Sequence, residues 1–464
     1  MKTILLASLF TQLIFQFSFA IADDKPLSGQ AKIDSLLAEL PKAKGDTNHV
    51  NLLKSISFTY SGSNPDKGIE YGEKGLALSI ELDWKDGVAS SYNSIGTNYQ
   101  YQSNYSKAME YFSKALEINE ELGDKKGVAT NSLNIGNIYQ IQSDYAIALE
   151  YYDKALRLNE VLGDERGIAI IFLNMGNIYL YQSNYSKAMD YYDKSLKINE
   201  ELGNKGGVAA SLGNIGIVYY KQMNYQKSLQ YFGKALKISE ELGDKYGIAT
   251  NLGNVGNTYN EQSNYPKALE YYNKALNFNE EMGDNHGAAV NLGNIGKVYL
   301  VLSQDVVSLN PNELNNYISL NNEINLNKSI EYSLESIRIF EEIGELDFRS
   351  LILENLANAY KAKGDMTKAY EALEEHHKLK DSVFNQENAE KIAALEKARE
   401  DDLKQKEIEK QKIQIAEQEK REQLILYFSI GFIIVMAIVM FIIYRLLKRS
   451  DKLLYNVLPV IGRL

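Results

Sequence analysis

The sequence predicts an all-α fold, an α-solenoid, and three observations carry that prediction. Gly123-Asp124 returns as Gly163-Asp164, Gly203-Asn204, Gly243-Asp244 and Gly283-Asp284, each forty residues after the last. Within each unit the apolar residues recur at helical spacing in two runs, so a unit is a pair of helices. A unit this small cannot bury its own apolar face and must do so against its neighbours, which makes the array one continuous stack.

The unit from Gly123 to Asp164 shows the construction. Ala129, Leu133, Ile135, Ile138 and Tyr139 form the first apolar run, and Tyr145, Ala148, Leu149, Tyr152, Ala155, Leu156 and Leu158 the second. Asp144 is expected to cap the second helix, because its carboxylate can accept from the unpaired amides of the first turn. Gly163 is expected to end that helix in the left-handed conformation, with Asp164 capping the next. Gly136, Ala148 and Ala155 are small where helices must approach closely.

Gly136, Tyr139, Ala148, Tyr152 and Ala155 stand at the relative spacings that define the tetratricopeptide repeat, and the chain resembles that family in its longer, forty-residue variety. The same set recurs as Gly176, Tyr179, Ala188, Tyr192 and Ser195, as Gly216, Tyr219, Ser228, Phe232 and Ala235, and as Gly256, Tyr259, Ala268, Tyr272 and Ala275. The family's tryptophan and helix-breaking proline are missing. The resemblance implies a stack of about eight helical hairpins, with the first helix of each lining a concave face.

Along the chain, Lys2, the apolar run from Ile4 to Phe19 and Ala20-Ile21-Ala22 before Asp23-Asp24 read as a secretory signal over residues 1–22. Residues 23–82 form a helical cap with a divergent repeat, broken at Pro41 and Gly45-Asp46 and reopened by Asn64-Pro65-Asp66-Lys67-Gly68. Regular repeats occupy 83–302. The array loses register and resumes at Lys328-Ser329-Ile330-Glu331-Tyr332, which places an inserted loop at 303–327, either a tolerated polar segment or a binding one. A last set of repeat units, with Gly344, Tyr360, Gly364-Asp365 and Ala369, fills 328–381.

Residues 382–423 are charged and free of proline and glycine, and predict a helical stalk. Its heptad pattern, from Ile392 and Leu395 to Ile408, Ile413 and Ile415, is broken by Arg399, Asp402 and Lys406. A weak homodimer through the stalk and a solitary helix both fit it. Residues 424–444 are apolar except for Ser429, and about 21 residues at 1.5 Å each match a hydrocarbon core. Arg445, Lys448, Arg449 and Lys452 follow, as on a cytoplasmic flank. The expected arrangement is a single-pass membrane protein, its repeats exported (periplasmic if bacterial) and its tail, 445–464, in the cytoplasm.

The net charge of −11 offers no basic face for phosphates, so no nucleic acid is expected as partner. The chain has no cysteine, and its four histidines, His49, His286, His376 and His377, are expected on the surface. Adjacent helical positions point about 100° apart, which is wrong for a metal shared by the last two. No phosphate loop, nucleophile elbow or zinc motif occurs, so no catalytic residue, metal or cofactor is expected and the chain does not read as an enzyme.

Binding is the better expectation. The position two before each glycine is Asn134, Asn174, Asn214, Asn254 or Asn294, and the position just after it adds Asn137, Asn177 and Asn257. An amide donates and accepts at once, so such a ladder can satisfy the backbone of an extended peptide or protein segment at regular intervals. The resemblance to adaptor repeats implies this use; bonding between repeats is the alternative. The tail, Ser450-Asp451-Lys452-Leu453-Leu454-Tyr455-Asn456-Val457-Leu458-Pro459, resembles the lead-in segment of receptor-type class III adenylate/guanylate cyclases, which follows their membrane helix. That resemblance implies the sensor half of a truncated cyclase receptor. A non-signalling scaffold is the second reading, and the stub of a sensor histidine kinase the third.

Overall fold

The computed structural model describes residues 29–304, 318–380 and most of 410–448. The expected signal peptide, the middle of the inserted loop at 305–317, the stalk as far as 409 and the tail motif lie outside the described residues. The chain divides into a unit ending at Leu379 and a second beginning at Lys380.

The first unit is a stack of helical hairpins. Helix α1 (Gly29–Glu39) runs into a 3-10 turn at Leu40–Lys42, where Pro41 stops it. Eight hairpins follow among the described residues. They are α2 (Thr47–Tyr60) with α3 (Pro65–Glu81), α4 (Lys85–Tyr101) with α5 (Tyr105–Leu122), and α6 (Lys125–Ile141) with α7 (Tyr145–Leu162). Next come α8 (Glu165–Tyr181) with α9 (Tyr185–Glu201), α10 (Lys205–Lys221) with α11 (Tyr225–Leu242), and α12 (Lys245–Glu261) with α13 (Tyr265–Met282). The last two are α14 (Asn285–Gln304) with α15 (Asn322–Ile343), and α16 (Leu346–Lys363) with a helix α17 over 366–380. Helix α15 already begins inside the stretch expected as loop. Its entry is fixed by Asn325, fully buried, whose amide donates to the Ser319 carbonyl at 2.7 Å and accepts from the Ser319 amide at 3.2 Å.

Both kinds of turn follow from the repeated residues. Between hairpins, Gly123, Gly163, Gly203, Gly243 and Gly283 take φ of +66° to +70°, a region in which a Cβ would clash with the backbone. The next residue, Asp124, Asp164, Asn204, Asp244 or Asp284, then accepts from first-turn amides of the following helix. Within hairpins the cap is an asparagine: Asn104, Asn184, Asn224 and Asn264 accept from the amides of Lys107, Lys187, Lys227 and Lys267. Asp144 departs from its expectation. It holds the same backbone position, but its side chain makes no capping bond. The start of α7 is held instead by Tyr145, stacked on Tyr181 with ring centroids 6.0 Å apart.

The core of each hairpin is a glycine on the first helix facing an aromatic ring on the second. A Cβ on Gly136 would come within 2.6 Å of Tyr152, and one on Gly176 within 2.5 Å of Tyr192. Phe112, Tyr152, Tyr192, Phe232 and Tyr272 are all buried, as are Ala148 and Ala155. In a second aromatic line of stacked pairs, Tyr179 and Tyr191, 5.4 Å apart, carry the ammonium groups of Lys187 and Lys194 over their rings. These rings cover the apolar seam while their lysines stay wet.

His376 corrects the expectation of surface histidines. It is 5 % exposed, and its Nδ1 lies 2.8 Å from the Ser350 carbonyl oxygen and 3.1 Å from the Ser350 hydroxyl. The cause is the last hairpin, where α17 turns this side of its surface onto α16. In the second unit, Gln418–Ile443 forms one helix, long and apolar enough to cross a membrane, with its apolar side chains exposed.

Candidate functional site: a groove along the first helices

The first helices of the hairpins wall a groove with a cavity of about 460 Å³, which reaches from Thr97 on α4 to Glu345 at the start of α16. A space of this size suits a small ligand or a few residues of extended chain rather than a folded domain. Its walls are built of amides and phenols. Asp284, Glu345 and His286 also line it, and among the described residues no lysine or arginine does.

Seven of the eight asparagines singled out in the sequence line this groove, and the structure divides them into two kinds. Those just after the glycine are occupied. Asn137 Oδ1 accepts from the Tyr152 hydroxyl at 2.8 Å and from the Asn174 amide at 3.0 Å. Asn177 Oδ1 accepts from Tyr192 at 2.7 Å, and Asn257 Oδ1 from Tyr272 at 2.6 Å. For Tyr192 and Tyr272 this bond pairs a phenol that would otherwise be stranded in the core, whereas the Tyr152 hydroxyl also has Gln140 Oε1 as an acceptor at 2.7 Å. Burial pushes all three phenols well above their ordinary pKa.

This pairing was readable in the sequence but was missed. Where the core ring is Phe112 or Phe232 there is no hydroxyl to satisfy, and the residue after the glycine is Thr97 or Ile217 rather than asparagine. Asparagine follows the glycine where tyrosine is its partner.

The asparagines two before the glycine behave differently. Apart from Asn174, their side chains make no hydrogen bond among the described residues. Asn134 and Asn254 are 9 % and 5 % exposed and line the groove, as does the half-buried Asn294. Asn214 is equally buried but does not line it. The amide atoms of Asn134 and Asn254 still meet solvent in the groove, so their donors and acceptors can exchange water for a ligand backbone.

Other groove residues carried no repeat signal. Tyr101 and Tyr246 come from distant hairpins, yet lie close enough for their hydroxyls to influence one another. The Tyr246 phenol is pushed up by burial first, and further by Asp284. Burial likewise raises Tyr101. His286, half-buried, meets Phe348 edge-on at 5.0 Å and Phe340 at 5.9 Å.

Residues 89–122, 127–201 and 207–281 match models of the tetratricopeptide repeat. No curated protein sequence matches the chain. Among solved structures, a signal transduction ATPase with numerous domains and a tetratricopeptide repeat sensor, from Pyrococcus horikoshii, is 16% identical with a TM-score of 0.51. The match covers 79% of this chain and 55% of that one. The apo form of the quorum sensor NprR from B. thuringiensis is 13% identical with a TM-score of 0.50, covering 75% of this chain and 98% of that one. A Rap protein complexed with competence and sporulation factor is 16% identical with a TM-score of 0.49, covering 82% and 98%.

Proposed function

Starting from a chain that carries a tetratricopeptide-repeat α-solenoid, we propose that it is a membrane-anchored sensor whose groove captures an extended peptide or protein segment outside the membrane. The observation that carries this reading is that the nearly buried amides of Asn134 and Asn254, which bond no other described residue, line the groove. Their spare donors and acceptors match what a peptide backbone offers at every residue. The likeness of fold to a Pyrococcus horikoshii ATPase that carries a tetratricopeptide repeat sensor, and to the quorum sensor NprR, supports a sensing role.

The anchor is the helix Gln418–Ile443, and the apolar residues 4–19 supply the export signal. Binding that changed the curvature of the stack would pull on the helix entering the membrane. The tie to cyclases rests on ten tail residues, and nucleotide sequence beyond the codon of Leu464 tests it directly: a cyclase frame supports the receptor, unrelated sequence the scaffold. The capture itself is tested by equilibrium dialysis of the full-length protein, in detergent, against a pool of blocked synthetic pentapeptides. Retention of a subset is expected, and retention of none overturns the reading. Addition of protease to spheroplasts, from which any outer membrane and wall have been stripped, is expected to destroy the repeats and spare a tag at the C-terminus; a protected array contradicts the orientation.

A further inference from the structure

Three residues before the repeat's helical glycine, such as Gly136 on α6 or Gly256 on α12, successive first helices carry Leu133, Leu173, Gly213, Gly253 and Gly293. In α6 that leucine packs against a cluster that includes Ile171 of the next hairpin, and neither residue lines the groove. In α12 the matching pair is Gly253 and Asn291, and both line it. Glycine inside a helix is less stable than alanine, so its place needs a reason. Packing supplies one at Gly293, where a Cβ would come within 2.4 Å of Ile352. It supplies none at Gly253, where among the described residues a Cβ would meet nothing closer than Asn291 Oδ1 at 3.6 Å, an ordinary contact. The missing Cβ leaves the backbone of α12 open to the cavity beside two amides. Asn291, 6 % exposed, donates to the Gly287 carbonyl at 2.9 Å, and its oxygen accepts from no described residue. Asn254, next along α12 and 5 % exposed, bonds no described residue at all. Gly213 meets Asn251 in the same way, also at 3.6 Å, but that pair does not line the groove.

We propose that Gly253 is where a bound peptide comes closest to the groove wall. The peptide's main chain lies against α12 where the Cβ is missing, gives an N–H to the Asn291 oxygen and accepts at its carbonyl from the Asn254 amide. This deepens the peptide-binding reading and rests on it. A main chain reaches a helix this closely only where no side chain stands between them, which is a use glycine serves wherever a ligand nears a backbone. An unsubstituted peptide bond offers the donor and the acceptor together, as the two asparagines require.

The test compares Gly253→Ala with Gly213→Ala in the full-length protein, in detergent, reading the unfolding midpoint of each and its affinity for a blocked pentapeptide retained in the dialysis. Both substitutions are expected to leave the midpoint no lower, since alanine favours a helix and the space for it exists. Gly253→Ala is expected to weaken binding about tenfold, and Gly213→Ala to leave it within about twofold. Undiminished binding by the Gly253→Ala protein, or equal losses at both positions, overturns the inference and leaves the peptide-binding reading standing. Retention of no pentapeptide by the unaltered protein overturns both. Should Gly253→Ala lower the midpoint, carbene footprinting of the unaltered protein decides. The peptide must then shield residues 249–254 and leave 209–214 as they were, and shielding of both stretches or of neither contradicts the assignment.

Discussion

Asn134 and Asn137 lie one turn apart on α6, flank the same glycine and are the same residue type, yet they serve different parts of the molecule. Asn137 turns its oxygen to the Tyr152 hydroxyl and the Asn174 amide, and thereby ties α6 to its hairpin partner and to the next hairpin. Asn134 bonds nothing among the described residues and opens onto the groove. Asn257 and Asn254 repeat the division on α12. The contrast teaches that a repeated residue need not repeat one role. Both positions line the groove, and what separates them is whether a core phenol lies within reach: the asparagine after the glycine meets the tyrosine hydroxyl, and the one before it does not.

Alkali should break the fold side of this comparison most severely. Burial holds the Tyr152, Tyr192 and Tyr272 phenols above the unfolded value of about 10, so folding favours their neutral form. Their contribution is fully present below that value and is lost as pH rises through the folded-state values. A titration following phenolate absorbance and helical circular dichroism together is expected to show the buried phenols ionising only as helix is lost. Early ionisation with the helices intact would contradict their burial.

Gly176→Val comes next, since its side chain meets the Tyr192 ring head-on. Overpacking at this contact should cost about 3 kcal/mol in urea unfolding. A smaller effect, about 1–2 kcal/mol, is expected for Tyr192→Phe, which strands the Asn177 oxygen. Adding Asn177→Ile to it copies the natural Ile217 and Phe232 pairing and should recover part of the loss; strict additivity of the two changes would show no coupling. Smallest of all is Lys205→Ala, which removes an exposed ion pair with Glu241 at 3.0 Å. Any shift in its unfolding midpoint should vanish in high salt.

The stack was legible because its determinants are local. A glycine forced to positive φ, an acid that caps, and a small residue opposite a ring each act within one turn or one hairpin. Asp144 shows where that reasoning overreached, since residue type and position suggested a cap that the side chain does not make. The groove was legible only in part. Its asparagines carry the period of the array, but both kinds flank the glycine, and the clue that separates them lies some fifteen residues on, in whether the core ring bears a hydroxyl. Tyr101, Tyr246 and Glu345 share the groove because hairpins far apart in sequence curve toward one another, and no local pattern encodes that. His376 was misplaced for the same reason: its burial depends on how α17 packs against α16.

The account turns most directly on one paired measurement, peptide binding by Asn254→Ala and Asn257→Ala proteins alongside their unfolding midpoints. Asn254→Ala is expected to lower affinity for the retained peptides about tenfold with stability held within about 0.5 kcal/mol, whereas Asn257→Ala, by stranding the Tyr272 hydroxyl, should cost about 1–2 kcal/mol of stability. Undiminished binding by the Asn254→Ala protein, or a loss of stability there equal to that at Asn257, would contradict the division of labour on which the groove assignment stands.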